Sequence, residues 1–322
     1  MPKSSLLFMF LGIALCFCAM TQAAQAQATR TWVASTGDDA NPCTRSTPCK
    51  TFSGAFAKTV AGGEIDTVDP APYGPLTITH AITIDGGSAE VDEVVAAGFA
   101  AFTINAGPND RVVLRNLIVN GVNQTATPGT DGILFNSGAE LAVERCVIEG
   151  FGSYGINFQP AVRALLTVSD SVLVGNGSFG VATGTGALIA STPATTGGLN
   201  RVSIVRTVVS EGTSGITSGQ NTNTQLEFVT VGQTGLGGGD YGVTVTGANA
   251  QLSLDYSTVS GNIFGGLHAA NGAKMFVANS SITYNNTNGI LSDTGGQVLS
   301  YGNNRVAGNT GSSVFAGTVP LM

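Results

Sequence analysis

Residues able to do acid–base, nucleophilic or metal chemistry are few in this chain. Histidine occurs twice, as His80 in Thr-His-Ala and His268 in Leu-His-Ala, and beyond Lys3 the lysines are Lys50, Lys58 and Lys274. Carboxylates read as isolated. One constellation stands apart: Arg115, Arg145, Asp170 and Arg206 occupy the fifth position of successive copies of a repeat, with Glu144 beside Arg145 and Asp255 just before Tyr256. Copies stacked in register would bring these heads into one outward column. Guanidinium forks match carboxylates bidentately, so the column is a candidate groove for an acidic chain. The competing reading is an exposed charge ladder, worth about 0 to 1 kcal/mol per pair.

Weaker candidates complete the survey. Asp131 and Asp240 precede Gly-Ile and Gly-Tyr-Gly-Val, where Asp commonly caps a turn and less often acts as a general acid. Trp32 and Tyr73 offer aromatic faces to a sugar, against a plainer role in packing. Gly235 to Gly239 lacks the strand-to-helix setting and the lysine of a phosphate cradle.

The element that must position these residues is a repeat. It reads RVVLRNLIVNG from Arg111, LAVERCVIEG from Leu141, LTVSDSVLVGN from Leu166, VSIVRTVVSEG from Val202, LSLDYSTVSGN from Leu252 and MFVANSSITYNN from Met275. A degenerate copy, LEFVTVGQTG, starts at Leu226. Positions 1, 3 and 8 are apolar, and position 6 is small or polar: Asn116, Cys146, Ser171, Thr207, Ser257 and Ser280. A Gly followed by Ile, Val or Leu trails the copies, at Gly132, Gly155, Gly180, Gly215, Gly242, Gly266 and Gly289, with intervals of 23, 25, 35, 27, 24 and 23 residues. The long interval contains Thr185 to Asn200, rich in Gly, Thr and Pro, which reads as a protruding loop.

Apolar residues alternate with period two over a few residues and then break at Gly or Asn, which specifies short strands. One such repeat cannot bury its own apolar face. Parallel stacking buries it against the next copy, about 4.8 Å away. Leu141, Leu166, Val202, Leu252 and Met275 then form one inside stack, and Val143, Val168, Ile204, Leu254 and Val277 the next. The fold class is therefore all-β, a right-handed parallel β-helix. Leucine-rich repeats share the period but need an L-x-x-L-x-L frame that is missing, and a β-sandwich would not give in-phase copies. Asn176, Asn262 and Asn285 suit a stacked ladder bonding backbone groups at a bend. Cys146 falls at the inward position 6, so a buried, inert thiol is expected.

The ends and the composition bound the rest. Lys3, the apolar run Leu6 to Met20 and the small residues to Ala28 read as a secretory signal peptide over 1–28, too short to span a bilayer. Residues 29–63 are expected to form an N-terminal cap, with a strand at Thr31–Ala34 and a short amphipathic helix over Thr51–Val60 presenting Phe52, Ala55, Phe56 and Val60. Residues 64–322 are expected to form the β-helix. Cys43 and Cys49 lie in a turn-rich stretch, read as a disulfide over a metal site because no His or further Cys is near. Net charge is −7, one unit more acidic without Lys3, with no basic cluster, so nucleic acid is excluded as a partner.

The opening Val33-Ala-Ser-Thr-Gly-Asp-Asp-Ala-Asn-Pro-Cys-Thr-Arg-Ser-Thr-Pro-Cys-Lys-Thr-Phe resembles that of secreted pectate-lyase-like β-helix proteins. Ala61-Gly-Gly-Glu-Ile-Asp and Tyr73-Gly-Pro-Leu-Thr-Ile-Thr fit the first coil of that pattern, and Val259-Ser-Gly-Asn-Ile-Phe-Gly-Gly-Leu is similar to generic repeats of the group. The resemblance implies the fold but spans lyases, hydrolases, epimerases, adhesins and inert spikes. The Gly-His-Gly of polygalacturonase-like hydrolases is missing, as are the motifs of pectin methylesterases and the converging carboxylates with a basic residue of calcium-dependent lyases. The sequence thus points to an exported, non-catalytic protein that binds carbohydrate or another envelope component, or serves as a surface structure, with a polysaccharide as partner and no cofactor or metal. The alternative is a polysaccharide lyase or glycoside hydrolase acting through an atypical site.

Overall fold

The computed structural model describes residues 27–87, 92–95, 98–121, 129–177, 189–191, 198–235 and 241–320. The expected signal peptide lies outside this set except for its last two residues, as do Gly180-Val181, Asp240 and most of the glycine run after Gly235. Among the described residues, three parallel sheets of twelve, nine and nine strands run the length of the molecule. Apart from Ala28–Val33 and Thr59–Thr67, which are neighbours in the twelve-stranded sheet, consecutive strands fall in different sheets, and each strand pairs with its counterpart one coil away. That topology is a right-handed parallel β-helix of about eight turns.

The interior follows the predicted stacks. Leu141 pairs with Leu166, Leu166 with Val202, Leu252 with Met275 and Met275 with Val298, all at most 3% exposed. Leu114, Val143, Val168, Ile204, Leu226, Leu254 and Val277 form the second column. Each fully buried Leu or Val contributes roughly 1.5–3 kcal/mol over an exposed one. The recurrent Gly before each apolar residue has a steric cause: a Cβ at Gly266 would lie 2.5 Å from the Gly289 carbonyl oxygen of the next coil. The asparagine ladder forms as expected. Asn262 Oδ1 accepts from the Thr234 amide and hydroxyl, and Asn285 Oδ1 accepts from the Asn262 amide and Nδ2. Asn176 serves Phe151 N and Ile148 O in the same way.

Four expectations are corrected by the register. Leu141 pairs with Val112, so the first copy begins at Val112 rather than Arg111, and its inward sixth position is Leu117, not Asn116. The degenerate copy begins at Thr224, which pairs with Val202 and Leu252. The Gly-Ile phase passes from Ile156 to Ile189 and on to Ile216, so part of the supposed loop Thr185 to Asn200 is the strand Ile189–Ser191. Finally, the helix expected over Thr51–Val60 is one turn, Phe52–Phe56, started by Thr51 Oγ1 accepting from Gly54 N; Thr59 and Val60 already belong to the strand Thr59–Thr67.

Cys43 and Cys49 form a disulfide beside that turn. Cys146 is free and 2% exposed, and burial pushes its thiol up to about 12. Among the described residues no helix is long and apolar enough to cross a membrane.

Candidate functional site

The outer face of the twelve-stranded sheet collects most of the chemistry. The predicted column is only partly brought together there. Arg145, Asp170 and Arg206 follow three adjacent strands at one corner, where each backbone is left-handed (φ 51°, 52° and 47°). Arg115 does not join them: it pairs with Glu144, and Asn116 (φ 56°) occupies its expected place. The corner continues through Phe228, Tyr256 and Asn279, all with positive φ.

The guanidinium groups of this region are already engaged. Arg206 grips Asp170 bidentately at 2.6 and 2.9 Å, and that hydrogen bond holds the Asp170 carboxyl below its ordinary range. Arg145 Nε donates to Asn116 Oδ1 at 2.8 Å, with Glu144 4.0 Å from its NH2 group. Arg115 Nε donates to Asp85 at 2.7 Å.

Sequence reasoning read the carboxylates as isolated, and the structure corrects this near the N-terminal end. Glu64, Asp66 and Asp85 bring carboxylate oxygens within 4.8 Å of one another. They sit at outward positions of Thr59–Thr67 and Ile82–Asp85, where Asp66 pairs with Asp85. Arg30 bonds Asp66 through Nε, and Glu64 lies between Arg30 and Arg115 at 3.4 and 3.5 Å. Burial, then the adjoining Asp66 carboxyl, holds Glu64 above its usual range. Asp85 is also pushed up by burial, but bonds from Asn116, the Gly87 amide and Arg115 outweigh this and bring it below normal. The signal was the alternation Glu64-Ile65-Asp66 and Thr83-Ile84-Asp85, legible only once those strands are known to be neighbours.

The calcium-dependent lyases of the resembling group raise the question of whether this trio fits a cation. It fits poorly. Two guanidinium groups already offset two of the three carboxylate charges, and Asp85 has both oxygens committed to donors.

Five strands along the same face, roughly 24 Å away, the sheet carries a groove of about 410 Å³. Its polar lining is Arg201 and Ser203, Asn223 and Gln225, Gln251 and Ser253 from three adjacent strands, with Phe276 from the next. No carboxylate lines it. Arg201 is exposed and forms no ion pair among the described residues. Groups of this kind donate and accept hydrogen bonds without fixing a charge, which suits hydroxyl-rich ligands. The sequence offered no motif for them, because Ser, Asn and Gln at outward strand positions look like any solvated face.

The remaining candidates have structural partners. Tyr73 is 1% exposed, packs on Phe52 with centroids 5.2 Å apart and donates to Asp69, so it offers no face to a ligand. Trp32 lies under the Arg30 guanidinium at 5.4 Å. Asp131 begins a strand, is buried, and accepts from the Tyr154 amide; burial pushes its carboxyl up. His80 stacks on Phe56, and His268 Nε2 lies 3.2 Å from Asp293.

No protein-family model matches the chain, and no curated protein matches it in sequence. Solved structures do match in shape. The pectate lyase Pel9A superposes with a TM-score of 0.61 at 14% identity, over 92% of this chain and 80% of that one. The XylC structure in complex with xylose gives 0.62 at 9% identity, over 84% and 68%. The GH136 lacto-N-biosidase from Eubacterium ramulus gives 0.60 at 11% identity, over 95% and 71%. At such identities the likeness is one of fold, and with the parallel sheets it shows that this chain has the right-handed parallel β-helix fold of those structures.

Proposed function

We propose that this protein is exported and binds a glycan, without turning it over, along the outer face of its twelve-stranded sheet. The observation that carries the reading is the groove itself: amides and hydroxyls from three adjacent coils, one free guanidinium and a flanking aromatic ring. Individually weak hydrogen bonds, about 0.5–1.5 kcal/mol each, add up on a ligand whose units repeat as the coils do. Arg145, Asp170 and Arg206 follow the strands of the same face and would flank the bound chain. Several folds that the chain resembles belong to proteins named for glycans, a pectate lyase and a xylose complex among them, which agrees with the reading. The same proposal gives 1–28 to an export signal and assigns the disulfide loop and the Phe52–Phe56 turn within 29–63 to covering the first coil of the β-helix, 64–322.

One observation favours a second reading, a polysaccharide lyase or glycoside hydrolase. The Glu64, Asp66 and Asp85 oxygens all lie within 4.8 Å of one another, tighter than the about 5–5.5 Å at which retaining glycosidases hold their carboxyl pair, and Glu64 is held above its ordinary range. Incubating the protein with polygalacturonate, alginate, xylan and a neutral β-glucan, with and without calcium, separates the two. Retention on a polysaccharide without new reducing or unsaturated ends is the expected result. Product formation abolished by Glu64→Gln would replace binding with catalysis at the N-terminal cluster.

A further inference from the structure

Phe228 and Tyr256 sit where the fold alone would place other residues. Both occupy the left-handed corner after the groove-lining strands, at φ 54° and 45°. A left-handed backbone costs an ordinary side chain roughly 1–2 kcal/mol and is eased by Asn or Gly. Asn116, Arg145, Asp170, Arg206 and Asn279, all polar, fill the same corner on other coils. The two aromatic rings also remain in water, 51% and 54% exposed. They stack on each other with centroids 5.3 Å apart and planes 20° from parallel. Among the described residues this is the one aromatic stack with both members more than half exposed. An unburied aromatic surface at a corner that the neighbouring coils fill with polar residues is the pattern found where a ligand covers it.

We propose that these rings form an outer subsite on which a pyranose of the bound glycan stacks. This inference rests on the glycan-binding reading and adds a second contact region to it. Phe228 follows Gln225 by three residues and Tyr256 follows Ser253 by three, so the platform lies roughly 10 Å from the groove along the same strands. A sugar presents an apolar C–H face and a polar rim. The rings match the face, and the neighbouring Asp255 carboxylate, held by Asn279 Nδ2 at 2.8 Å, can accept from the rim. Because platform and groove are separate, chains long enough to reach both gain from the platform, while short ones held in the groove do not.

The double variant Phe228→Asn/Tyr256→Asn tests this without threatening the fold, since Asn suits the left-handed corner. Melting temperature should stay level or rise. Affinity is measured by titration with xylan, alginate and polygalacturonate and with their short oligomers. The expected result is an approximately tenfold loss on the long chain that the wild type binds best, with little change on its short oligomers. Gln225→Ala should weaken both lengths. A double variant that binds long chains as the wild type does overturns the platform and leaves the groove standing. A wild-type protein that binds no glycan overturns both.

Discussion

Replacing Asn262 with alanine should show how strongly the internal ladder holds the coils together. Asn262 is fully buried, and its Oδ1 is the acceptor for the Thr234 amide at 3.2 Å and the Thr234 hydroxyl at 2.8 Å. Thr234 is itself 0% exposed, so water cannot take over. The Asn262 amide keeps its own bond to Asn285 Oδ1, because that donor is backbone. The variant therefore strands one amide and one hydroxyl. Each buried orphan costs about 1–3 kcal/mol, and the hydroxyl can rotate to recover part of its share, so the net cost is about 3 kcal/mol. For a domain of this size each kcal/mol moves the melting temperature by about 2 °C, giving a fall of about 6 °C by circular dichroism. Asn279→Gly is the control. It also removes side-chain hydrogen bonds, but at an exposed left-handed corner where glycine is at ease, and it should cost less than about 1 kcal/mol. Equal melting temperatures for the two variants would refute the claim that buried amide ladders, rather than apolar stacking alone, hold the bends.

Two further predictions follow from the titrating groups. Asp85→Asn should destabilise the protein at neutral pH by about 1–2 kcal/mol, the lower part of the range for charge-assisted bonds because solvent screens the pair. Asp85 is depressed in the folded state, so its contribution is present above the ordinary aspartate range and is lost as pH falls through the folded value. Denaturant melts of wild type and variant should therefore converge on acidification; a gap that widened in acid would sink the assignment. Cys146, buried with its thiol at about 12, should resist a thiol reagent such as DTNB at pH 8 until denaturant is added. Rapid labelling of the native protein would contradict the inward placement of the sixth position.

The repeat made the fold legible, and its lapses have local causes. Val112, Val113 and Leu114 are three apolar residues in a row, so the phase of the first copy is ambiguous by one, and that slip moved Arg115 into a column it does not share. Thr224 is polar at an inward position, which hid the start of the degenerate copy; its hydroxyl is bonded to Ser218 at 2.8 Å inside the coil. Ile189 was hidden by the Gly/Thr/Pro-rich composition around it. The site was less legible for a deeper reason. Groove and carboxylate cluster are built across coils, as in Asp66 and Asp85, 19 positions apart in the chain, and Arg201 and Phe276, 75 positions apart. Only exact register assembles them, and register was the one quantity the pattern left uncertain by a residue.

Stacking also decides which of the outward charges remain available. In a parallel coil the nearest neighbour of each side chain is its counterpart about 4.8 Å away, so charges on adjacent coils meet first. Arg111 meets Glu140, Arg115 meets Asp85, Arg206 meets Asp170 and Arg30 meets Asp66. A charge column on this solenoid thus largely neutralises itself, which explains why the most conspicuous charged residues of the sequence are poorly disposed to hold an acidic ligand. Arg201 is the exception within the groove: its register neighbours are Leu165 and Asn223, neither of which carries a charge. If the reasoning holds, Arg201→Gln should leave binding of a neutral glycan nearly unchanged. It should weaken an acidic one and flatten the salt dependence of its affinity, because the groove then carries no charge. The paired change Arg206→Gln/Asp170→Asn should do neither, since the two charges already cancel and the corner keeps its net charge. Were the paired change to reduce acidic-glycan binding and Arg201→Gln to leave it intact, the charged corner and not the groove would be the place where the ligand lies.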